Sequence, residues 1–341
     1  MNDKDRKQKR MKEEQKTETR VESKNKDNLQ KQELISFVIP CYRSEKTIEK
    51  VVEEIIQTVR QRKEYDYEII TVNDCSPDGV YEILKKLAAH NPRIKVINFA
   101  KNMGKHAAVL AGYAVVKGDY VVDLDDDYQC PVYDLWKLLE PVRNDECDYA
   151  TAKYHQKRQS AFKNWGSNLN LHMSEIMLEK PKGLRFENFS VMKRFVCKEI
   201  IHYKHPYPYL EGLVLRVTRR VITVPMEERN RGDDKGSGFT LTKSVALLVN
   251  GLTAFSVKPL RVASVLGFLF SACGFIWGVY AVIHKLINPN VPLGYSSIVA
   301  ILLFSSGLIM LMLGLIGEYI GRIYICINDS PQYVIKETIN L

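Results

Sequence analysis

At 341 residues and a formal net charge of +9, the chain is long enough for one large domain with an appendage. Its basic excess is spread along the sequence rather than gathered into one arginine-rich block, so no nucleic acid is expected as a partner, whereas anionic ligands or an anionic membrane surface fit. The seven cysteines, at 41, 75, 130, 147, 197, 273 and 326, form no CxxC pair, which argues against a zinc site or a disulfide framework and leaves reduced thiols.

Residues 1–33 are almost wholly polar, with charges of both signs mixed, and no signal peptide is read there. They carry too little apolar surface to bury, so a disordered tail is expected, weak attraction to acidic lipid being its functional reading. From Leu34 the pattern changes. "LISFVIP" (34–40) is an apolar run stopped by proline and reads as a strand. Thr47 to Arg60 places Ile48, Val51, Val52, Ile55 and Val59 at helical spacing. "EIITV" (68–72) is a second buried-strand run; 80–89 reads as helix, 94–99 as strand, 105–116 as helix and 119–124 as strand. This alternation predicts an α/β domain, Rossmann-like, with a mainly parallel sheet covered on both faces. In such sheets ligands bind beyond the carboxyl ends of the strands, and the chemistry-bearing residues fall there each time. Past residue 150 the periodicity weakens: 162–178 is expected to be helical, Arg216 to Pro225 a strand, and "ERNRGDDKGSGF" (228–239) a mobile glycine-rich loop.

Val262 to Ile283 and Ser296 to Gly317 are uncharged throughout, 22 residues each. As helices they would span about 33 Å, enough for a bilayer core, so a two-helix membrane hairpin is expected over 262–322. Lys258 and Arg261 precede the first span and Arg322 follows the second, while the connecting loop holds Lys285 alone. That asymmetry predicts a cell-membrane protein with its large domain (34–239), its 323–341 tail and both termini cytoplasmic. The apolar stretch 240–261 either lies at the interface as an amphipathic helix or packs on the domain. Small residues (Ser306, Gly307, Gly314, Gly317) would allow close helix packing, and a homo-oligomer is left open.

The stretch "VVDLDDDYQCP" (121–131) ends an apolar strand in four aspartates within five positions. Like charges clustered at a strand mouth are destabilising unless a cation sits among them. A calcium loop of the EF-hand type would place glycine where Tyr128 stands and a helix before it, so that reading is rejected. An Asp-x-Asp pair suits Mg²⁺ or Mn²⁺ sharing its shell with phosphate oxygens. On an extended chain Asp125 and Asp127 point one way, Gln129 continues that side, and Asp126 faces opposite. The seven histidines show no HExxH or other metal spacing.

Together, "VIPCYRSEKTI", "VNDCSPDG", "NMGKHAAVLAGYAVVKGDYVVDLDDDYQCP" and the paired spans resemble the family-2 glycosyltransferases. More narrowly, they resemble the polyprenyl-phosphate glycosyltransferases related to dolichol-phosphate mannose synthase and the bactoprenol glucosyltransferases. The resemblance covers about 35–322 and implies a GT-A nucleotide-sugar domain, an inverting reaction, and a Mg²⁺ or Mn²⁺ cofactor. It also implies roles residue by residue. Pro40 and Tyr42 line the base and ribose, Asp74 accepts from the nucleoside, and Asp126 and Lys105 belong to the nucleotide side, Lys105 near the phosphates. Asp125, Asp127 and Gln129 hold the metal on the donor diphosphate. Arg229 and Ser237 correspond to a basic loop that closes over it, Arg229 being counted as catalytic beside the two aspartates.

Two departures bear on mechanism. Many relatives carry glutamate where this chain has Ser44, with Glu45 one place later as its substitute. After the sheet, "AKYHQKRQSAFKNWGS" offers no aspartate as catalytic base. A sugar hydroxyl needs a base, but a phosphate monoester, with a second pKa near 6, is already anionic. Such an acceptor needs cations, which Lys153, Lys157, Arg158 and Lys163 could supply; the alternative is a solvated basic surface. The expectation is transfer of one sugar, UDP-glucose being the first donor and UDP-N-acetylhexosamine or GDP-mannose the next, to polyprenyl phosphate for cell-surface glycan modification. Alternatives are a non-lipid acceptor and a non-catalytic scaffold. A processive synthase would want Gln-x-x-Arg-Trp, which precedes none of the tryptophans at 136, 165 and 277.

Overall fold

The computed structural model describes residues 32–154, 175, 180–181, 183–206, 208–227, 229, 258–288, 294–328 and 331–341. The expected polar tail (but for its last two residues), the 162–178 helix (but for Glu175), the glycine-rich loop (but for Arg229) and 240–257 lie outside them.

Eight strands form one sheet in the order β7-β5-β6-β4-β1-β2-β3-β8. β1 (Glu33–Cys41), β2 (Tyr65–Asn73), β3 (Ile94–Phe99) and β4 (Tyr120–Asp123) are mutually parallel, β1 lying between β2 and β4. β5 (Tyr149–Tyr154) runs parallel to β7 (Val221–Met226), and β6 (Ser190–Lys193) is antiparallel to both β4 and β5.

The apolar runs that read as strands are buried on both faces. From β1, Ile35, Phe37, Ile39 and Cys41 face one layer, built on α1 (Ile48–Arg60), α2 (Val80–His90) and α4 (Leu135–Arg143). Val38 faces the other, built on α3 (Lys105–Tyr113), α5 (Arg194–Ile200) and α6 (Leu210–Val217). This is the period-2 alternation of a strand with apolar partners on each side. Helix α3 lies so close to β1 that a Cβ on Gly112 would collide with Val38.

At the amino end of the sheet a charged group is buried among these layers. Glu68 accepts from Ser36 Oγ (2.5 Å), Lys95 Nζ (2.6 Å) and the Lys117 amide (2.5 Å). Burial alone would raise its carboxyl; the hydrogen bonds from Lys95, Ser36 and Lys117 outweigh it and hold the group below the ordinary glutamate range.

Several boundaries differ from the sequence expectation. Helix α3 stops at Tyr113 and β4 at Asp123, so 124–129, which holds Asp125, Asp126 and Asp127, forms a turn, with Tyr128 at φ 63°, rather than an extended continuation of the strand. The predicted strand at Arg216 is instead the end of α6, and β7 begins at Val221.

Two helices, α7 (Lys258–Ile287) and α8 (Tyr295–Ile327), are long and apolar enough to cross a membrane. They pack through Phe270 and Phe304 (5.7 Å between rings), while Phe268, Phe275, Trp277 and Met310 are left exposed. Apolar surface on that scale is unfavourable in water and natural in lipid. Lys258 to Arg261, placed before the hairpin by the sequence pattern, already belong to the first turn of α7. Of the 323–341 segment expected as a cytoplasmic tail, the first five residues complete α8 and Ile335–Ile339 form β8, antiparallel to β3.

Candidate active site

The carboxyl ends of β1 to β4 gather the loops that carry the acids. Asp74, at the end of β2, is buried, and burial raises its carboxyl. Its two oxygens accept from the Met103 and Gly104 amides at 2.6 and 2.9 Å, fixing the loop that enters α3. Gly104 sits at φ +87°, a left-handed conformation that favours glycine. Expected on the nucleoside, Asp74 is here the carboxylate that organises the β3–α3 loop.

That loop sets Lys105 at the first position of α3, where a cation opposes the helix dipole. Its ammonium turns toward the acids instead, 2.5 Å from Asp125 Oδ1 and 2.9 Å from Asn188 Oδ1. Asp123, the last residue of β4, is half-buried and accepts from the Tyr113 hydroxyl, and desolvation pushes it up to about 7. Asp126 turns to the neighbouring loop: Oδ2 accepts from the Tyr42 amide at 2.8 Å, and its carbonyl accepts from Thr47 Oγ1 at 2.6 Å. Burial, together with Asp125 and Asp127, pushes its carboxyl up to about 6. Asp123 and Asp126 thus hold their protons to higher pH than an ordinary aspartate.

Asp127 closes the turn, Oδ1 accepting from the Gln129 amide at 3.1 Å. Behind the turn stands Arg229. Its amide donates to the Gln129 carbonyl (3.2 Å), and its guanidinium lies over Tyr128 (4.5 Å) and Tyr133 (4.9 Å) while gripping both oxygens of Glu54 at 2.5 and 2.6 Å. Expected to close over a diphosphate, Arg229 here braces the acidic turn, because Glu54 on α1 supplies a bidentate partner.

Glu45 also differs from its expected place on the nucleoside. Its carboxylate accepts from the Gly79 amide at the start of α2 (2.8 Å), and its own amide donates to Asp78 Oδ2 (3.0 Å). A carboxylate at a helix N-terminus is favoured by both unpaired amides and dipole. Tyr42 is exposed beside this junction, and Pro40 is buried within β1. Lys153 is exposed near the end of β5. Lys157, Arg158, Lys163 and Ser237 lie outside the described residues.

Sequence reasoning missed a second polar group behind Lys105. Half-buried His106, lowered to about 4 by desolvation and then by Lys105, meets Tyr209 edge-on at 6.1 Å. Tyr209 donates to Glu211 at 2.8 Å, and Lys180 stands 3.9 Å from that carboxylate. These residues come from chain positions too distant for a local motif to reveal.

The donor set suits a hard divalent cation. Asp125 offers a carboxylate that already faces an ammonium, Asp127 stands two residues on, and both are oxygen donors. Among the described residues no three acidic, histidine or cysteine side chains converge on one point.

The profile described as glycosyl transferase family 2 matches residues 36–201, and that of the GtrB C-terminal hairpin matches residues 258–323. An uncharacterized glycosyltransferase of Bacillus subtilis, YkcC, is 33% identical over 306 residues, covering 89% of this chain and 93% of its own. The bactoprenol glucosyl transferase of Shigella phage SfII is 30% identical over 313 residues (89% and 98%). The undecaprenyl-phosphate 4-deoxy-4-formamido-L-arabinose transferase of Proteus mirabilis is 29% identical over 317 residues (90% and 94%). Among solved structures, glucosyl-3-phosphoglycerate synthase of Mycobacterium tuberculosis in complex with UDP is a looser likeness, with TM-score 0.47, 17% identity, and 63% of this chain and 76% of that one covered. The chain belongs to glycosyl transferase family 2, a glycosyltransferase domain joined to a GtrB-type C-terminal hairpin.

Proposed function

We propose that this glycosyltransferase moves a single sugar from a nucleotide-sugar to polyprenyl phosphate at the cytoplasmic face of the membrane. The observation that carries the reading is topological: the chain leaving α8 enters the sheet at the carboxyl end of β3, the same edge that bears Asp74, Lys105 and Asp125. From Asn328 to Ile335 the chain reaches at most about 25 Å, so the edge of this sheet is tethered to the end of an apolar hairpin. An acceptor with a lipid tail and a phosphate head fits that arrangement. The names of the bactoprenol and undecaprenyl-phosphate relatives support it.

In this account the bond from the anomeric carbon to the leaving diphosphate breaks as an acceptor phosphate oxygen bonds the opposite face, inverting the centre. No proton need move, because the acceptor is already an anion near neutral pH, its second pKa being about 6. That answers the lack of an aspartate base. Lys105 supplies positive charge beside Asp125, and exposed Lys153 is a candidate for the acceptor phosphate. Asp125 and Asp127, with Gln129, would hold Mg²⁺ or Mn²⁺, which when bound neutralises charge developing on the leaving diphosphate. Asp74 and the loop it fixes, with Tyr42, form the nucleoside side.

UDP-glucose is the first donor to try, ahead of UDP-N-acetylhexosamine and GDP-mannose, since the phage relative is named a glucosyl transferase. Membranes holding the protein are given each labelled nucleotide-sugar with Mg²⁺ or Mn²⁺ and polyprenyl phosphate, and label is counted in the organic phase. Label from one donor, abolished by EDTA, is expected. Release of nucleotide with no organic label from any donor would point to a non-lipid acceptor.

A further inference from the structure

The last eleven residues are bound to the catalytic domain at both ends of β3. At the carboxyl end, Gln332 Nε2 donates to the carbonyls of Tyr203 (2.8 Å) and His205 (2.7 Å). Tyr333 stacks flat on Phe99, ring centroids 5.4 Å apart and planes 3° from parallel. The Ala100 amide donates to the Val334 carbonyl at 2.9 Å. At the amino end, Asn340 Nδ2 donates to the carbonyls of Ala88 and Ile94, each at 2.9 Å. Between these anchors β8 pairs from Ile335 against Phe99 to Ile339 against Val96.

A strand that served only to cover the edge of β3 would need neither anchor, and the charges Lys336 and Glu337 already discourage further strand addition. The anchors instead join the chain that leaves α8 to the loop that carries Lys105. Upstream, a few residues lead back to the end of α8. Downstream, Ala100 opens the 100–104 loop, whose Met103 and Gly104 amides Asp74 holds and which places Lys105 on Asp125.

We propose that residues 331–341 are a positioning strap, which fixes the height and tilt of the carboxyl edge over the membrane so that a phosphate at the bilayer surface meets the acids. The inference rests on the lipid-phosphate reading above. Its chemistry is mechanical: rigid seating of two reactants avoids the entropy of finding each other, and a loosened seat loses that advantage only for the reactant confined to the membrane.

The test compares the full-length protein with two alterations. One inserts ten Gly/Ser residues after Asn328, which leaves every strap contact intact but adds a random-coil spacer of about 18 Å. The other is the double substitution Gln332→Ala with Tyr333→Ala, which keeps β8. Three quantities are measured in the same membranes: KM for polyprenyl phosphate, transfer to a short water-soluble isoprenyl phosphate, and nucleotide-sugar affinity. Both alterations should raise KM for the lipid about tenfold or more, leaving the other two within about twofold. An unchanged lipid KM in the insertion protein overturns the strap, as does an equal loss toward both acceptors. If the unaltered protein transfers to neither phosphate, the lipid-phosphate reading falls, and the strap with it.

Discussion

Lys105 Nζ stands 2.5 Å from Asp125 Oδ1, a cation from the start of one helix set against the first member of an Asp-x-Asp pair on the neighbouring loop. Lysine is disfavoured at that helix position, so its partner is the reason for its placement. The site is therefore built to balance charge on Asp125. Substituting Asp127→Asn should reduce turnover by about 10²- to 10³-fold, the scale of losing one well-placed electrostatic group, and should weaken Mn²⁺-dependent nucleotide binding by calorimetry. Unchanged metal dependence in that variant would remove Asp127 from the site.

Arg229 braces the acidic turn through Glu54, Tyr128 and Tyr133. Because the grip is bidentate and planar, Arg229→Lys should behave much like Arg229→Ala, each lowering kcat about tenfold or more. Glu54→Gln, which removes the charge from the other side, should show the same fall. Full activity in Glu54→Gln would mean that the turn holds its shape unaided.

The buried pair Glu68–Lys95, with side chains 6% and 9% exposed, makes a separate claim about stability. Lys95→Met strands a buried carboxylate and should cost about 3–5 kcal/mol, read as a lower midpoint of thermal unfolding in detergent. Glu68 has a depressed folded-state pKa, so its contribution is fully present above the ordinary glutamate range. It is lost as pH falls through the folded value. The gap between wild type and Lys95→Met should accordingly narrow under acid conditions and persist at neutral pH.

Cys75 gives a labelling handle on the donor side. It is exposed, next to Asp74, and held at φ 50°, whereas Cys41, Cys130, Cys147 and Cys197 are buried. A polar, membrane-impermeant maleimide applied to the purified protein should modify Cys75 ahead of those four, by peptide mass. Nucleotide-sugar should slow that modification; equal rates with and without donor would place the nucleoside elsewhere.

The legible parts of the fold were those whose physics is local. β1 to β4 are largely buried on both faces, so their central segments read as apolar runs, and α1 shows its buried stripe directly. The acids were legible because they interrupt such a run. Partnerships between distant positions were hidden. Glu54 and Arg229 are 175 positions apart, and Glu45's choice of the Gly79 amide depends on how two loops meet in space. The polar start of β2, "YDYE", concealed three residues of strand, since Glu68 is buried only because Lys95 and Ser36 neutralise it. "IKETI" was passed over for the opposite reason: as an edge strand it is largely exposed and carries no apolar run.

The most direct test uses purified protein with the donor that labels membranes, offering polyprenyl phosphate and the corresponding free polyprenol side by side, and follows ³¹P resonances alongside labelled lipid. The account predicts conversion of the phosphate monoester to a sugar phosphodiester and no transfer to the alcohol, because nothing in the site is assigned to deprotonate a hydroxyl. Transfer to the polyprenol, or to a sugar hydroxyl in preference to the lipid phosphate, would contradict it.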